Sequence, residues 1–283
     1  MSESVELSFV RTAEGRDDKI AILTLNRPSV ANAFDPTMLR AMADVFKKVR
    51  AEQSTIRALL LRGAGKNFCT GADIQWMRDS AKAPPDENKK EASEMGELFF
   101  QLYSLPVPTV ALAHGAVFGG GVGLIAACDW AIATEDAKFC FSEVKLGVVA
   151  AVILPYVMKK IATGQLRRCV LSARTFGAHE AFEFGLVQRI VRDAEVEDFL
   201  RDELRQICLG APEAQARFKA VFHSLQGGTD AEFQKTRERM VETIATLRVG
   251  QSGQEGLAAF LEKRAAKWVV PLSDDWRLPE ISE

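Results

Sequence analysis

The chain has 283 residues, 47% of them hydrophobic and 26% charged, a mixture that excludes a disordered, collagen-like or disulfide-scaffold protein. Thirty-six Lys and Arg against 38 Asp and Glu leave a net charge of −2, so no global positive field draws the chain onto nucleic acid. The five cysteines (Cys69, Cys128, Cys140, Cys169, Cys208) are odd in number, form no C-x-x-C pair and sit largely in apolar runs, as free thiols do in a reducing compartment. The start, MSESVELSF, has neither the basic nor the apolar part of a secretory signal, and no uninterrupted apolar run reaches the ~18 residues of a membrane span. The expectation is a soluble, cytoplasmic protein with no membrane or nucleic-acid partner.

Residues 20–25 (IAILTL) read as a strand closed by Asn26-Arg27-Pro28. Asp35-Pro36 then offers an N-cap with Pro in the first turn, followed by Met38, Leu39, Met42, Val45, Phe46 and Val49 at helical spacing. Residues 56–61 (IRALLL) read as a strand covered on both faces. A loop through Gly63-Ala64-Gly65 leads to residues 68–77, and the polar, Pro-containing stretch 80–91 predicts a mobile surface segment before a helix over 93–103. Pro106 and Pro108 introduce a third strand over 109–113, and a glycine cluster then opens an apolar helix running to Cys128. Short strands and helices in alternation predict an α/β core of ββα-like turns. From residue 151 the pattern turns helical, over 153–161, 178–184, 195–209, 212–225, 231–247 and 254–264. Residues 1–200 are therefore expected to form an α/β core, and residues 201–283 a helical C-terminal region with an extended tail over 269–283.

Two loops carry candidate chemistry. Cys69-Thr70-Gly71-Ala72-Asp73-Ile74 follows the strand 56–61, and His114-Gly115-Ala116-Val117-Phe118-Gly119-Gly120-Gly121-Val122-Gly123 follows the strand 109–113. Small residues at strand ends let a ligand approach the backbone and leave N–H groups free, and the second loop also presents the positive end of a helix. Two N–H groups converging on one oxygen form an oxyanion hole, worth ~3–4 kcal/mol per donor. Either loop alone reads equally well as a tight turn. Glu143 lies in the largely apolar run Phe139-Cys140-Phe141-Ser142-Glu143-Val144-Lys145-Leu146-Gly147, where desolvation would raise its pKa toward that of a neutral-pH acid/base. The bland alternative is an exposed Glu143 paired with Lys145. His114, His179 and His223 show no ligand spacing, so no metal site is expected. Trp76 and Met77 either line a pocket or pack as core.

These motifs in this order resemble the crotonase superfamily of enoyl-CoA hydratases and isomerases. The matching stretches are Asn26-Arg27-Pro28 with Asn32-Ala33, Thr70-Gly71-Ala72-Asp73-Ile74, and the glycine run ending Cys128-Asp129. The run Phe139–Gly147 around Glu143, Ala181-x-x-x-Gly185-Leu186-Val187 and Phe260-Leu261-Glu262-Lys263-Arg264 complete them. The resemblance implies a spiral of ββα turns with a helical C-terminal region. It implies a thioester carbonyl held by the N–H groups of Ala72 and Gly120, with Glu143 as acid/base. The CoA-binding residues it implies are Arg27, Ala72, Asp73, Ile74, Gly119, Gly120 and Gly123, with Phe260 and Lys263 often supplied by a neighbouring subunit. Coenzyme A is then part of the substrate, no separate cofactor is used, and the assembly is a homotrimer or a dimer of trimers.

Two departures bear on the reaction. Hydratases of this type use two glutamates; the downstream one matches Glu143, but Gly123 stands at the other, 20 residues earlier. Isomerases also keep only the downstream glutamate, which takes a proton from C4 and returns it at C2. The usual glycine-rich PGxGG stretch is replaced by Val148-Val149-Ala150-Ala151-Val152-Ile153-Leu154-Pro155-Tyr156-Val157, which resembles a bacterial branch acting on 3-methylglutaconyl- or isohexenylglutaconyl-CoA in leucine and terpene breakdown. Hydration of a branched glutaconyl-CoA is the leading expectation, Δ3-Δ2 isomerisation the second, and a silent acyl-CoA-binding protein the third. Retention of Glu143 and both loops weighs against the last. Arg78 and Lys145 are the candidates for recognising a second carboxylate. If the substrate's own carboxylate stands in for the lost acid, straight-chain enoyl-CoAs are poor substrates, and Gly123→Glu should raise their hydration wherever the backbone φ is negative.

Overall fold

The structure is a computed structural model and describes residues 4–12, 17–225 and 230–267. In chain order its strands are β1 (Val5–Arg11), β2 (Lys19–Leu25), β3 (Ile56–Gly63), β4 (Thr109–Ala113), β5 (Ala116–Phe118), β6 (Trp130–Thr134), β7 (Lys138–Cys140), β8 (Phe176–Gly177) and β9 (Arg189–Val191). The helices are α1 (Pro36–Ala51), α2 (Ile74–Ser80), α3 (Pro85–Tyr103), α4 (Gly120–Ala127), α5 (Leu154–Val157) and α6 (Thr163–Ser172). They continue with α7 (Ala178–Glu183), α8 (Val196–Leu209), α9 (Pro212–Leu225), α10 (Asp230–Val249) and α11 (Gln251–Leu261).

Six strands form one sheet in the order β1-β2-β3-β4-β6-β9, antiparallel at β1 and parallel thereafter. A small sheet, β5-β7-β8, stands beside it. The alternation of side chains along β3 explains the two-sided burial expected of it. Leu59 and Leu61 join the main core, whereas Ala58 and Leu60 join a second cluster with Ile207, Phe199 and Leu204 of α8. Residue 200 thus lies inside a helix that covers the sheet. The α/β fold agrees with the composition and motif order. α1 begins as expected: the Asp35 side chain accepts from the Met38 N–H at 2.8 Å, with Pro36 in the first turn.

The segment 80–91 differs from the expectation of a mobile surface stretch. α3 already begins at Pro85, where the missing N–H costs nothing and Asp86 and Glu87 suit the positive helix end. Asn88 is buried and donates Nδ2 to Ala245 O of α10 at 2.6 Å. Polar composition concealed a contact satisfied by another helix. The helix expected over 153–161 shrinks to α5 behind a 3-10 turn at Ala151–Ile153, because Pro155 belongs to a first turn and cannot continue a helix from upstream. The extended tail expected over 269–283 lies outside the described residues. No helix among those described is long and apolar enough to cross a membrane.

Candidate active site

Parallel sheets bind ligands beyond the carboxyl ends of their strands. Both glycine-bearing loops leave such ends, one from β3 and one from β4, which are hydrogen-bonded neighbours. Two isolated bridges fasten the loops: Cys69 pairs with Val117, and Ala72 with Phe34. Cys69 N–H donates to Ala116 O at 3.2 Å and Phe118 N–H to Cys69 O at 2.9 Å. Gly71 and Gly120 meet closely, for a Cβ on Gly71 would lie 3.0 Å from the Gly120 nitrogen.

Gly120 opens α4, a position whose N–H has no partner within the helix. Among the described residues no protein group accepts from the N–H of Ala72 or of Gly120. Both residues line a cavity of about 640 Å³. Gly119 has φ +50°, a conformation that favours glycine, and its own N–H donates to Cys140 O at 2.9 Å, tying the loop to β7.

Glu143 starts a 3-10 turn over Glu143–Leu146, directly after β7, and α11 packs on that turn. A Cβ on Gly119 would lie 3.2 Å from Glu143 Oε1, so the carboxyl stands against the glycine loop. Oε2 is buried and has no hydrogen-bond partner. Burial pushes the carboxyl up to about 7, because the charged form has lost its water. Among the described residues no ion pair joins Glu143 to Lys145, the alternative that composition allowed; Oε2 has no partner and Lys145 is exposed.

The cavity brings together Ala72, Asp73, Ile74, Gly119, Gly120, Glu143, Lys145, Met77 and Phe260. Other expected contributors stand apart. Arg27 is 3.3 Å from both Asp35 and Asp73 and donates to Ala33 O at 2.5 Å, which braces the first loop rather than lining the cavity. Lys263 follows α11 with φ +52° and does not line the cavity, and neither does Arg78. Trp76 donates to Glu91 Oε2 at 3.0 Å. His114 Nε2 meets Gly65 O at 3.2 Å, a loop bond outside the cavity.

Gly123, expected among the binding residues, is instead buried and stands behind the cavity lining. A Cβ there would lie 2.2 Å from Ile153 Cγ2 and 2.9 Å from Phe99 Cε1. Its helical backbone accepts a side chain, but the space is already filled. Ile153 and Phe99, which fill that space, themselves line the cavity. Sequence reasoning also missed Arg248 of α10, which lines the cavity with its side chain buried. Burial lowers its pKa, opposed by Glu91. A lone Arg in a last helical turn gives no signal beyond complementing the helix dipole.

The chain is similar to an enoyl-CoA hydratase from Mycobacterium avium, with 27% identity, a TM-score of 0.81 and coverage of 95% of this chain and 100% of that one. It is also similar to Pseudomonas aeruginosa AtuE, with 34% identity, a TM-score of 0.75 and coverage of 94% and 99%. Over 274 residues it is 29% identical to carnitinyl-CoA dehydratase of Escherichia coli K12, covering 95% of this chain and 99% of that protein. The family described as enoyl-CoA hydratase/isomerase matches residues 15–270, and the chain belongs to it, within the crotonase superfamily.

Proposed function

We propose that this protein hydrates an α,β-unsaturated acyl-CoA, with Glu143 as its one acid/base and the Ala72 and Gly120 N–H groups as the oxyanion hole. The observation that carries the proposal is the buried, unpartnered Oε2 of Glu143 beside the glycine loop, where among the described residues the N–H groups of Ala72 and Gly120 have no protein acceptor. Ionised Glu143 accepts a proton from water as the hydroxyl adds to C3. The electron pair of the double bond moves to the thioester oxygen, where the two N–H groups stabilise the enolate. Glu143 then returns the proton to C2, so one water has been added and the carboxylate is regenerated. In this mechanism the ionised form starts the reaction, so kcat/KM falls about tenfold per pH unit below about pH 7.

The acyl group in this proposal is a branched glutaconyl thioester. Support comes from the apolar filling by Ile153 and Phe99, which leaves no room at position 123 for a second acid to hold water. A substrate carboxylate supplies the missing polar group. The CoA passes Ala72, Asp73 and Ile74, near Arg27, and reaches exposed Phe260. Apolar side chains left exposed on α8 and α9, Leu209 at 80% and Phe218 at 65%, support the homotrimer or dimer of trimers.

The single carboxylate also favours a second reading, Δ3-Δ2 isomerisation, in which Glu143 takes a proton from C4 and returns it at C2. The test is incubation with crotonyl-CoA, 3-enoyl-CoA and 3-methylglutaconyl-CoA, followed by mass spectrometry. Hydration adds the mass of one water to the glutaconyl substrate. Rearrangement at constant mass, with water added to no substrate, would establish the isomerase instead.

A further inference from the structure

The helical side of the cavity carries a charge that neither the thioester nor the enolate uses. Arg248 lines the cavity with Ile244, one turn earlier on α10, and its side chain is only 2% exposed. Nη1 donates to Asn88 Oδ1 at 3.1 Å and stands 3.8 Å from Glu91 Oε2. The guanidinium carbon lies 5.6 Å from the Trp76 ring centroid. Nε is buried with no acceptor, and among the described residues Nη2 has none either.

Glu91 is a distant and divided counter-ion. Its Oε2 already accepts from Trp76 Nε1 at 3.0 Å and from Ser80 Oγ. A guanidinium offers five N–H donors in a rigid fork, and Nε with Nη2 forms the edge that takes a carboxylate through two parallel bonds. That edge is the one left without partners. Burying a cation so incompletely satisfied is costly, and packing alone does not ask for one here, since Met77, Met95, Phe99 and Ile244 line the same side. Lys145 also lines the cavity but is exposed, where solvent screens its charge.

We propose that Arg248 is a specificity-determining residue whose Nε/Nη2 edge binds a carboxylate at the far end of the acyl group, so that the preferred substrates are CoA thioesters of dicarboxylic acids. This rests on the proposal above only in placing an acyl-CoA in the cavity. It replaces Arg78 and Lys145 as the group that recognises the second carboxylate.

The test compares binding of 3-methylglutaryl-CoA and isovaleryl-CoA by calorimetry. Both are saturated and unreactive, and they differ by one carboxylate. The wild type should bind 3-methylglutaryl-CoA at least about tenfold more tightly. Arg248→Met should bring the two affinities to within about twofold, and Arg248→Lys should retain part of the preference. No preference in the wild type, or a preference that survives in folded Arg248→Met, overturns the proposal. Should the Met variant not fold, the wild-type preference and its reduction in Arg248→Lys decide the question. A preference lost in Arg248→Met, with no water added to any enoyl-CoA, would uphold Arg248 and remove only the hydration reading.

Discussion

The two sides of the cavity are built from different parts of the polypeptide. One side is backbone: Gly71, Ala72, Gly119 and Gly120 line it, the N–H groups of Ala72 and Gly120 have no protein acceptor among the described residues, and the glycines leave little room for larger side chains. The other side is side chain: Met95 and Phe99 of α3, Ile153 of the turn before α5, and Ile244 and Arg248 of α10. Backbone donors do not vary with residue type, so the first side suits the thioester oxygen common to all acyl-CoA substrates. Side chains set size and charge, so the second suits selection among acyl groups. Reaction and selection are therefore separable, and the variants below test that separation.

On the backbone wall, a large effect belongs to Gly120→Val. A Cβ there would lie 2.4 Å from Phe34 Cζ, so the N–H must move. Turnover should fall by about 10²–10³, the usual loss of an oxyanion donor, with much less change in affinity for an unreactive acyl-CoA. Equal losses in both measurements would break the division between the two sides.

Next comes the carboxyl between them. Burial raises Glu143 from 4.5 to about 7, so the folded state holds its proton more tightly than the unfolded chain. Its contribution to stability is greatest below pH 4.5, declines as pH rises to about 7, and stays reduced above. Urea unfolding should show Glu143→Gln equal to wild type near pH 4 and more stable by up to about 3 kcal/mol at pH 8. A difference independent of pH would mean that the carboxyl is solvated.

On the side-chain wall, Gly123→Ala should destabilise by about 1–3 kcal/mol, since its Cβ overlaps Ile153. Adding Ile153→Ala should recover part of that loss, a coupling that chemical denaturation can measure. Gly123→Glu alone should not raise crotonyl-CoA hydration, because space rather than φ is the obstacle. Smallest is Asp35→Ala, remote from both walls, which should cost about 1 kcal/mol through loss of the α1 cap, read as a lower urea midpoint.

The difference between the sides also decides how much was legible in the amino-acid sequence. Glycines at strand ends, the Asp35-Pro36 helix start and the apolar flanks of Glu143 are local signals, and each stands where the sequence places it. The helical side depends on contacts between distant segments. Asn88 looks like surface until Ala245 accepts its bond, and Gly123 looks like a vacant acid position until Ile153 fills it. Arg248 carries no motif, and only the packing of α10 on α3 brings it to the cavity.

If one carboxyl carries the proton transfers as proposed, turnover of 3-methylglutaconyl-CoA must depend on Glu143, which Glu143→Gln removes as an acid/base. Alongside, affinity for 3-methylglutaryl-CoA should be measured to show that the site remains assembled. Turnover should fall by about 10²–10⁴ with affinity retained. Near-normal turnover in the folded variant would contradict it.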